Sequence, residues 1–108
     1  MSVSFNDRIR LNQLGTIITI NMTQVQNNAD VAIDLTTASL AQIDFKRPDN
    51  TITTVSANIL APATAGVIRY TDNVGIFTLR GRWQVRGKIT FVNGSFFPGS
   101  WTGFPVED

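Results

Sequence analysis

The sequence predicts an all-β protein, an antiparallel β-sandwich of about seven or eight strands. One observation is composition: 33 of the 108 residues are valine, isoleucine or threonine, which fit the pleated surface of a sheet. Helix-favouring glutamate and lysine number only one and two. The other observation is periodicity. Apolar and polar residues alternate with a period of two, and turn residues separate the alternating segments every eight to twelve residues or so.

Strands are predicted in the first half of the chain over Thr16–Val25, Val31–Leu35, Ala41–Arg47 and Thr51–Ile59. In the third of these, apolar side chains alternate with polar ones, so one face is expected to lie inside the protein. Pro48–Asn50 predicts a tight hairpin turn after it, because proline presets φ and asparagine tolerates the left-handed region.

Two further strands are predicted over Gly66–Asp72 and Arg80–Val92. The second has the clearest alternation, with apolar or small residues at odd positions and polar residues at even positions up to Lys88. Trp83 is at an odd position, which predicts a central place in the core.

The dipeptide Asn93-Gly94 after this strand is a strong hairpin signal. With a two-residue loop, Phe96 faces Phe91 on the inner side of the sheet, and Phe97 falls opposite Thr90 on the outer side. Phe97 is therefore expected to be an exposed ring.

The length fits one domain. We expect residues 16–108 to form the sandwich and residues 1–15 to be either an N-terminal arm, reaching onto a neighbouring subunit, or an edge strand.

The composition argues against several function classes. Cysteine and histidine are absent, which excludes disulfides, thiolate or imidazole metal sites, and Cys or His nucleophiles and bases. No motif proposes a catalytic residue, a cofactor site or a calcium loop, and most acids lie beside turns, where aspartate caps backbone amides. We therefore expect no enzyme activity, no cofactor and no metal.

Charge and hydropathy limit the expected partners. The formal net charge is only +1, so nucleic acid is not an expected partner. No apolar stretch is long enough to span a membrane, and the first residues do not resemble a secretion signal, which predicts a protein made in a cytoplasm.

Candidate interaction residues lie on one predicted strand and on the segment after it. Four cations are expected on a single strand face, because side chains alternate along a strand. This cationic stripe is either a solvated face or a docking site for an acidic protein surface, to which arginine is suited. The ring of Phe97, which is expected to point outward, would lie beside the stripe. The candidate residues are Arg80, Arg82, Arg86, Lys88, Phe97 and Trp101.

Aromatic residues are concentrated near the C-terminus, at Phe96, Phe97, Trp101 and Phe104. Two interpretations are open: core packing with an intersubunit contact, or a platform on which Trp101 stacks against a sugar.

Six short segments, in order along the chain, form a recognisable pattern of turns and core positions. They are Ile33–Ala38, Ile43–Thr51, Ala65–Tyr70, Gly81–Gly87, Phe91–Gly94 and Phe104–Glu107. In order and spacing, this pattern resembles the immunoglobulin-like domain of tailed-bacteriophage virion proteins, including the N-terminal domain of baseplate upper proteins. The resemblance covers about residues 16–107, and in the family glycine usually stands where this chain has Asn50.

The resemblance implies an immunoglobulin-like fold and a structural role in a phage virion. The part of the virion stays open between tail, baseplate or neck accessory and capsid decoration. Expected partners are other virion proteins, in a homo-oligomer or multi-copy assembly. The alternative function is a carbohydrate-binding accessory module that aids host attachment, in which case glycans would be bound.

Overall fold

A computed structural model describes residues 2–6 and 8–107 and confirms the predicted all-β sandwich. Met1, Asp7 and Asp108, which the predicted arm and domain include, lie outside the described residues. The described part of the chain contains eleven strand segments and one short 3-10 turn, Ala63–Ala65.

The first sheet has four antiparallel strands. They are β1 (Ser2–Phe5), β2 (Thr16–Asn21), β7 (Asn58–Ile59) and β8 (Val67–Asp72), in the spatial order β1-β2-β8-β7. The inward side chains of β2 are fully buried, as the alternation of this segment requires. The segment left open between an arm and an edge strand contains β1, which pairs with β2 at the edge of this sheet.

The second sheet is built around the longest strand. It contains β5 (Ala38–Lys46), β6 (Ile52–Ser56), β9 (Gly81–Phe91), β10 (Phe96–Pro98) and β11 (Thr102–Val106). The order is β10-β9-β5-β6, and β11 also pairs with β9. With the first sheet read as strands A, B, E and D, the second follows the order G, F, C and C′ of immunoglobulin-like sandwiches.

A two-stranded hairpin projects from the sandwich. It consists of β3 (Thr23–Gln26) and β4 (Ala29–Ala32), and seven of these eight residues are exposed. The predicted boundaries were wrong here, since the expected strand Thr16–Val25 is divided between β2 and β3. The division is at Met22, whose backbone N–H bonds to Gly66 and whose carbonyl accepts from Ile33, so the chain leaves the first sheet.

Aromatic rings fill the centre of the core. Phe77 packs edge-on against Phe45, with ring centroids 5.8 Å apart, and lies 5.3 Å from Trp83 and 6.1 Å from Phe104. The central place of Trp83 is confirmed: it is fully buried, and its indole N–H donates to the carbonyl of Leu79 at 2.9 Å. Two rings of the first sheet join them: Phe5 of β1 lies 5.0 Å from Phe104, and Tyr70 of β8 lies 6.2 Å from Phe45. Packing of rings from both sheets therefore holds the two layers together.

The loop between β9 and β10 is longer by one residue than expected. The Gly94 amide donates to the Phe91 carbonyl at 2.9 Å, and the Phe91 amide donates to Ser95 at 2.8 Å. Residues 92–94 thus form a three-residue loop, in which only Gly94 takes a positive φ, +89°. This is the type I turn followed by a left-handed residue that three-residue hairpins use.

The extra loop residue reverses the two phenylalanines that follow. Phe96 pairs with Thr90 and is 53% exposed, whereas Phe97 pairs with Ile89 and packs against the core. The expectation that Phe97 is the outward ring was wrong, because a one-residue register slip turns each side chain to the other face.

Candidate interaction surface

The outer face, defined here as the side of the second sheet that points away from the first, carries three of the four predicted cations. Within β9, Arg82, Arg86 and Lys88 alternate with buried Trp83, Val85, Gly87 and Ile89, which places these three cations on the outer face. Arg80 precedes the strand and is exposed. Its neighbour Gly81 has φ +126°, which breaks the alternation, so strand register does not assign Arg80 to this face.

Asp44 lies in the middle of these cations. It stands directly opposite Arg86 in the β5–β9 ladder, and its carboxylate is only 2% exposed. Arg86 Nε donates to Oδ2 at 3.1 Å, Lys88 Nζ lies 3.0 Å from Oδ1, and the Thr54 hydroxyl donates to Oδ1 at 2.6 Å. Two of the stripe's cations are thus partly neutralised by an acid from the next strand.

The same contacts decide the protonation state of Asp44. Burial raises the pKa of this carboxyl, but the hydrogen bonds from Thr54, Lys88 and Arg86 outweigh it and hold the pKa below its ordinary value. Asp44 is therefore ionised at neutral pH and acts as the anchor of the cluster.

Trp101, in the segment between β10 and β11, completes this cluster. The Arg86 guanidinium carbon lies 4.5 Å from the centre of the indole ring, and Lys46 Nζ lies 5.9 Å from it. Both distances fit cation–π contacts. The structure thus brings together three of the sequence-predicted residues: Arg86, Lys88 and Trp101.

Arg82 occupies a different position at the edge of the outer face. It pairs with Pro105 of β11 and is exposed. Its guanidinium lies across Gly103, where a β-carbon would come within 2.9 Å of one terminal nitrogen. The absence of a side chain at residue 103 gives this arginine the space to lie flat on the sheet.

Three exposed apolar side chains share the outer face; Phe96 was expected on the inner side, and the other two were not among the candidate residues. Leu40 and Phe96 flank Thr90 and are 43% and 53% exposed, and Ile52, next to Lys46, is 52% exposed. Their places depend on strand register. For Leu40 and Ile52 the only sequence signal was an apolar residue at an outward position of a strand, whereas the outward place of Phe96 follows from the longer loop.

Three other acids cap turns, as predicted from their places beside turns: Asp34, Asp49 and Asp72. Asp34 and Asp49 each accept hydrogen bonds from the amide and hydroxyl of a threonine two residues later, and these bonds lower the pKa of both carboxyls. Buried Asp72 accepts from the amides of residues 74–76. The pKa of the Tyr70 hydroxyl is raised by burial and by the nearby Asp72.

No cluster of three or more potential metal ligands and no pocket is found among residues 2–6 and 8–107. The described residues also include no helix that is long and apolar enough to cross a membrane.

Comparisons with protein families, with curated proteins and with solved structures found no match to this chain.

Proposed function

We propose that the chain is a non-enzymatic structural component of a tailed-bacteriophage virion, present in many copies, which docks on an acidic surface of another virion protein. The observation that carries the docking is the charge of the outer face. Its register positions hold four cations (Lys46, Arg82, Arg86 and Lys88) and one acid, Asp44. The virion setting rests on the resemblance of the sequence segments, and tail, baseplate, neck and capsid remain candidate locations.

The chemistry of this face suits a protein partner. Arg82 presents a planar guanidinium that pairs with carboxylates in a bidentate manner. Phe96 and Leu40 are apolar side chains that a partner would remove from water. Arginine and aromatic side chains supply most of the binding energy at many interfaces, and complementary charge selects the partner.

The experiment changes the docking face without disturbing the contacts that stabilise the fold. Arg82→Glu and Phe96→Ser change side chains that are exposed, whereas Arg86 and Lys88 hold Asp44 and are left in place. The matched control is Arg69→Glu, a charge reversal of an exposed arginine on the other sheet. Each variant is expressed during phage growth, and its copy number in purified particles is measured by quantitative mass spectrometry.

We expect the Arg82→Glu/Phe96→Ser variant to be reduced in particles at least tenfold and Arg69→Glu to be incorporated normally. If the unmodified chain is missing from purified particles, the virion role is wrong. If the chain is present and the double variant is incorporated like the control, the outer face is not the docking site.

A carbohydrate-binding module is the second candidate, and Trp101 is the residue that would carry it. In the structure the Arg86 guanidinium lies over this ring, in a place that a stacked sugar would need. Binding to a glycan array that is lost in Trp101→Ala and kept in Arg82→Glu would favour this candidate over protein docking.

A further inference from the structure

The free edge of the second sheet is β6, and its sequence is unusual for an exposed edge. Among the described residues, β6 pairs only with β5. Its five residues, Ile-Thr-Thr-Val-Ser, are all favourable for strands or small, and no charged residue occurs from Ile52 to Ile68. Proteins usually protect such edges with charge, proline or a bulge.

The opposite edge of the same sheet is protected in this way. It is divided between the short strand β10, which ends at Pro98, and β11, which contains Pro105. Proline lacks the N–H that a further strand would need. The contrast between the two edges indicates that β6 is available for pairing with another strand.

Hydrogen bonds at both ends of the β5–β6 ladder show which backbone groups of β6 are available. Arg47 donates to the Thr51 carbonyl, and Ala57 donates to the Ala41 carbonyl. Bonded and non-bonded pairs alternate in an antiparallel ladder, so Thr53 and Val55 also direct their backbone groups toward β5. The N–H and C=O groups of Ile52, Thr54 and Ser56 therefore point away from β5, outward from the free edge of the sheet.

We infer that β6 pairs antiparallel with β6 of a second copy of this chain, about a two-fold axis at Thr54. This register pairs Thr54 with its own equivalent and Ile52 with Ser56 of the other copy. It uses all three outward residues and forms about six backbone hydrogen bonds, two for each of the three pairs. An uncharged strand suits pairing with itself, since no like charges come to face each other.

The pairing joins two second sheets into one continuous sheet, with the two outer faces side by side. Both copies would then present their cations in the same direction, which fits a protein that binds a repetitive surface. The dimer stands on the edge geometry alone, and it can be tested on the purified chain without any partner.

Charge pairs across the edge test both the dimer and its register. Ile52→Lys/Ser56→Lys places lysine opposite lysine in the proposed register, whereas Ile52→Lys/Ser56→Glu places lysine opposite glutamate. Both variants carry the same lysine at residue 52, beside Lys46, and differ only in the charge at residue 56. Sedimentation velocity over a concentration series gives the mass, and far-UV circular dichroism confirms that each variant is folded.

We expect the unmodified chain to sediment at twice its 11.9 kDa mass, the double-lysine variant as a monomer, and the lysine–glutamate variant again as a dimer. A wild type that is monomeric at all concentrations would overturn the inference. Strand β6 would then be an edge for pairing with a strand of a different protein. A dimer that both variants preserve would show that the contact lies elsewhere.

Discussion

Arg86 and Asp44 are direct partners across the β5–β9 ladder, and Arg86 Nε donates to the Asp44 carboxylate at 3.1 Å. The same guanidinium lies over the ring of Trp101. Arg86 is 27% exposed and Asp44 only 2%, so the acid is enclosed by the side chains it binds. Asp44 thus fixes the position of Arg86, and Arg86 in turn orders Trp101 on the outer face.

Replacing Asp44 with asparagine should destabilise the fold. Asp44→Asn keeps the shape of the side chain and one acceptor oxygen, but it leaves Arg86 and Lys88 without their negative partner. Because the site is buried, we expect a loss of about 2 kcal/mol in the free energy of unfolding. Urea denaturation at neutral pH measures it. Asp30→Asn, which changes an exposed aspartate on β4, should change stability little, and an equal loss in both variants would contradict the role of the cluster.

The contribution of Asp44 to the free energy of unfolding should also depend on pH. Its pKa in the folded protein lies below the ordinary value of 3.8, which the unfolded chain retains. The ionised carboxylate therefore stabilises the fold fully above 3.8, and this stabilisation is lost as the pH falls through the lowered pKa.

Urea denaturation of wild type and Asp44→Asn at a series of pH values tests this sign. The difference in unfolding free energy between them should be constant from neutral pH to about pH 5 and should shrink only below the ordinary pKa. A difference that already shrinks above pH 5 would mean that burial dominates and that the pKa is raised.

Much of the fold could be predicted from the sequence, because strand alternation and turn chemistry are local properties. The alternation in β9 placed Trp83 inside and Arg86 outside, and Pro48–Asn50 was correctly predicted as a tight turn. The loop after β9 shows the limit. Asn93-Gly94 is compatible with loops of two or three residues, and this single residue decides whether Phe96 or Phe97 is exposed.

The cluster of Asp44 with Arg86, Lys88 and Trp101 could be predicted only in part. Alternation placed Asp44 on an outer strand face, but its partners depend on how β5 aligns with β9, and the bulge between Ala38 and Leu40 shifts that alignment. Trp101 lies outside the strands, so no periodicity could place it beside Arg86. Contacts between distant segments are set by packing, which a single sequence does not display.

Gly87 should be intolerant of any side chain. It lies in the buried face of β9, where a β-carbon would be 2.5 Å from Met22 Sδ and 3.0 Å from Ile68 Cδ1. We expect Gly87→Ala to lower the free energy of unfolding by about 1–3 kcal/mol, because both neighbours are fully buried and must move.

Thermal or urea denaturation with a control on the other face checks this expectation. In Gly103→Ala the new methyl group meets only the flexible end of Arg82, so the loss should be small. The double variant Gly87→Ala/Met22→Ala should lose less than the sum of the single changes, since removing the thioether makes space. Additive losses would contradict the proposed clash.

Asp72 should be essential for the loop that follows β8. Its carboxylate is fully buried and accepts hydrogen bonds from the amides of Val74, Gly75 and Ile76, at 2.9–3.1 Å. These bonds hold the loop that brings Phe77 into the aromatic core. Asp72→Ala leaves the buried amide of Ile76 and two partly buried amides without an acceptor, and we expect a loss of about 2–4 kcal/mol in the free energy of unfolding.

Hydrogen exchange distinguishes this capping role from a general loss of stability. The amides of residues 74–76 should exchange at least tenfold faster in Asp72→Ala, beyond the change that the altered global stability produces in β9. Asp34→Ala removes a similar turn cap at an exposed site and should leave residues 74–76 unchanged. If exchange of these three amides follows β9 in every variant, the loop is held by Phe77 packing, and the Asp72 carboxylate is not its anchor.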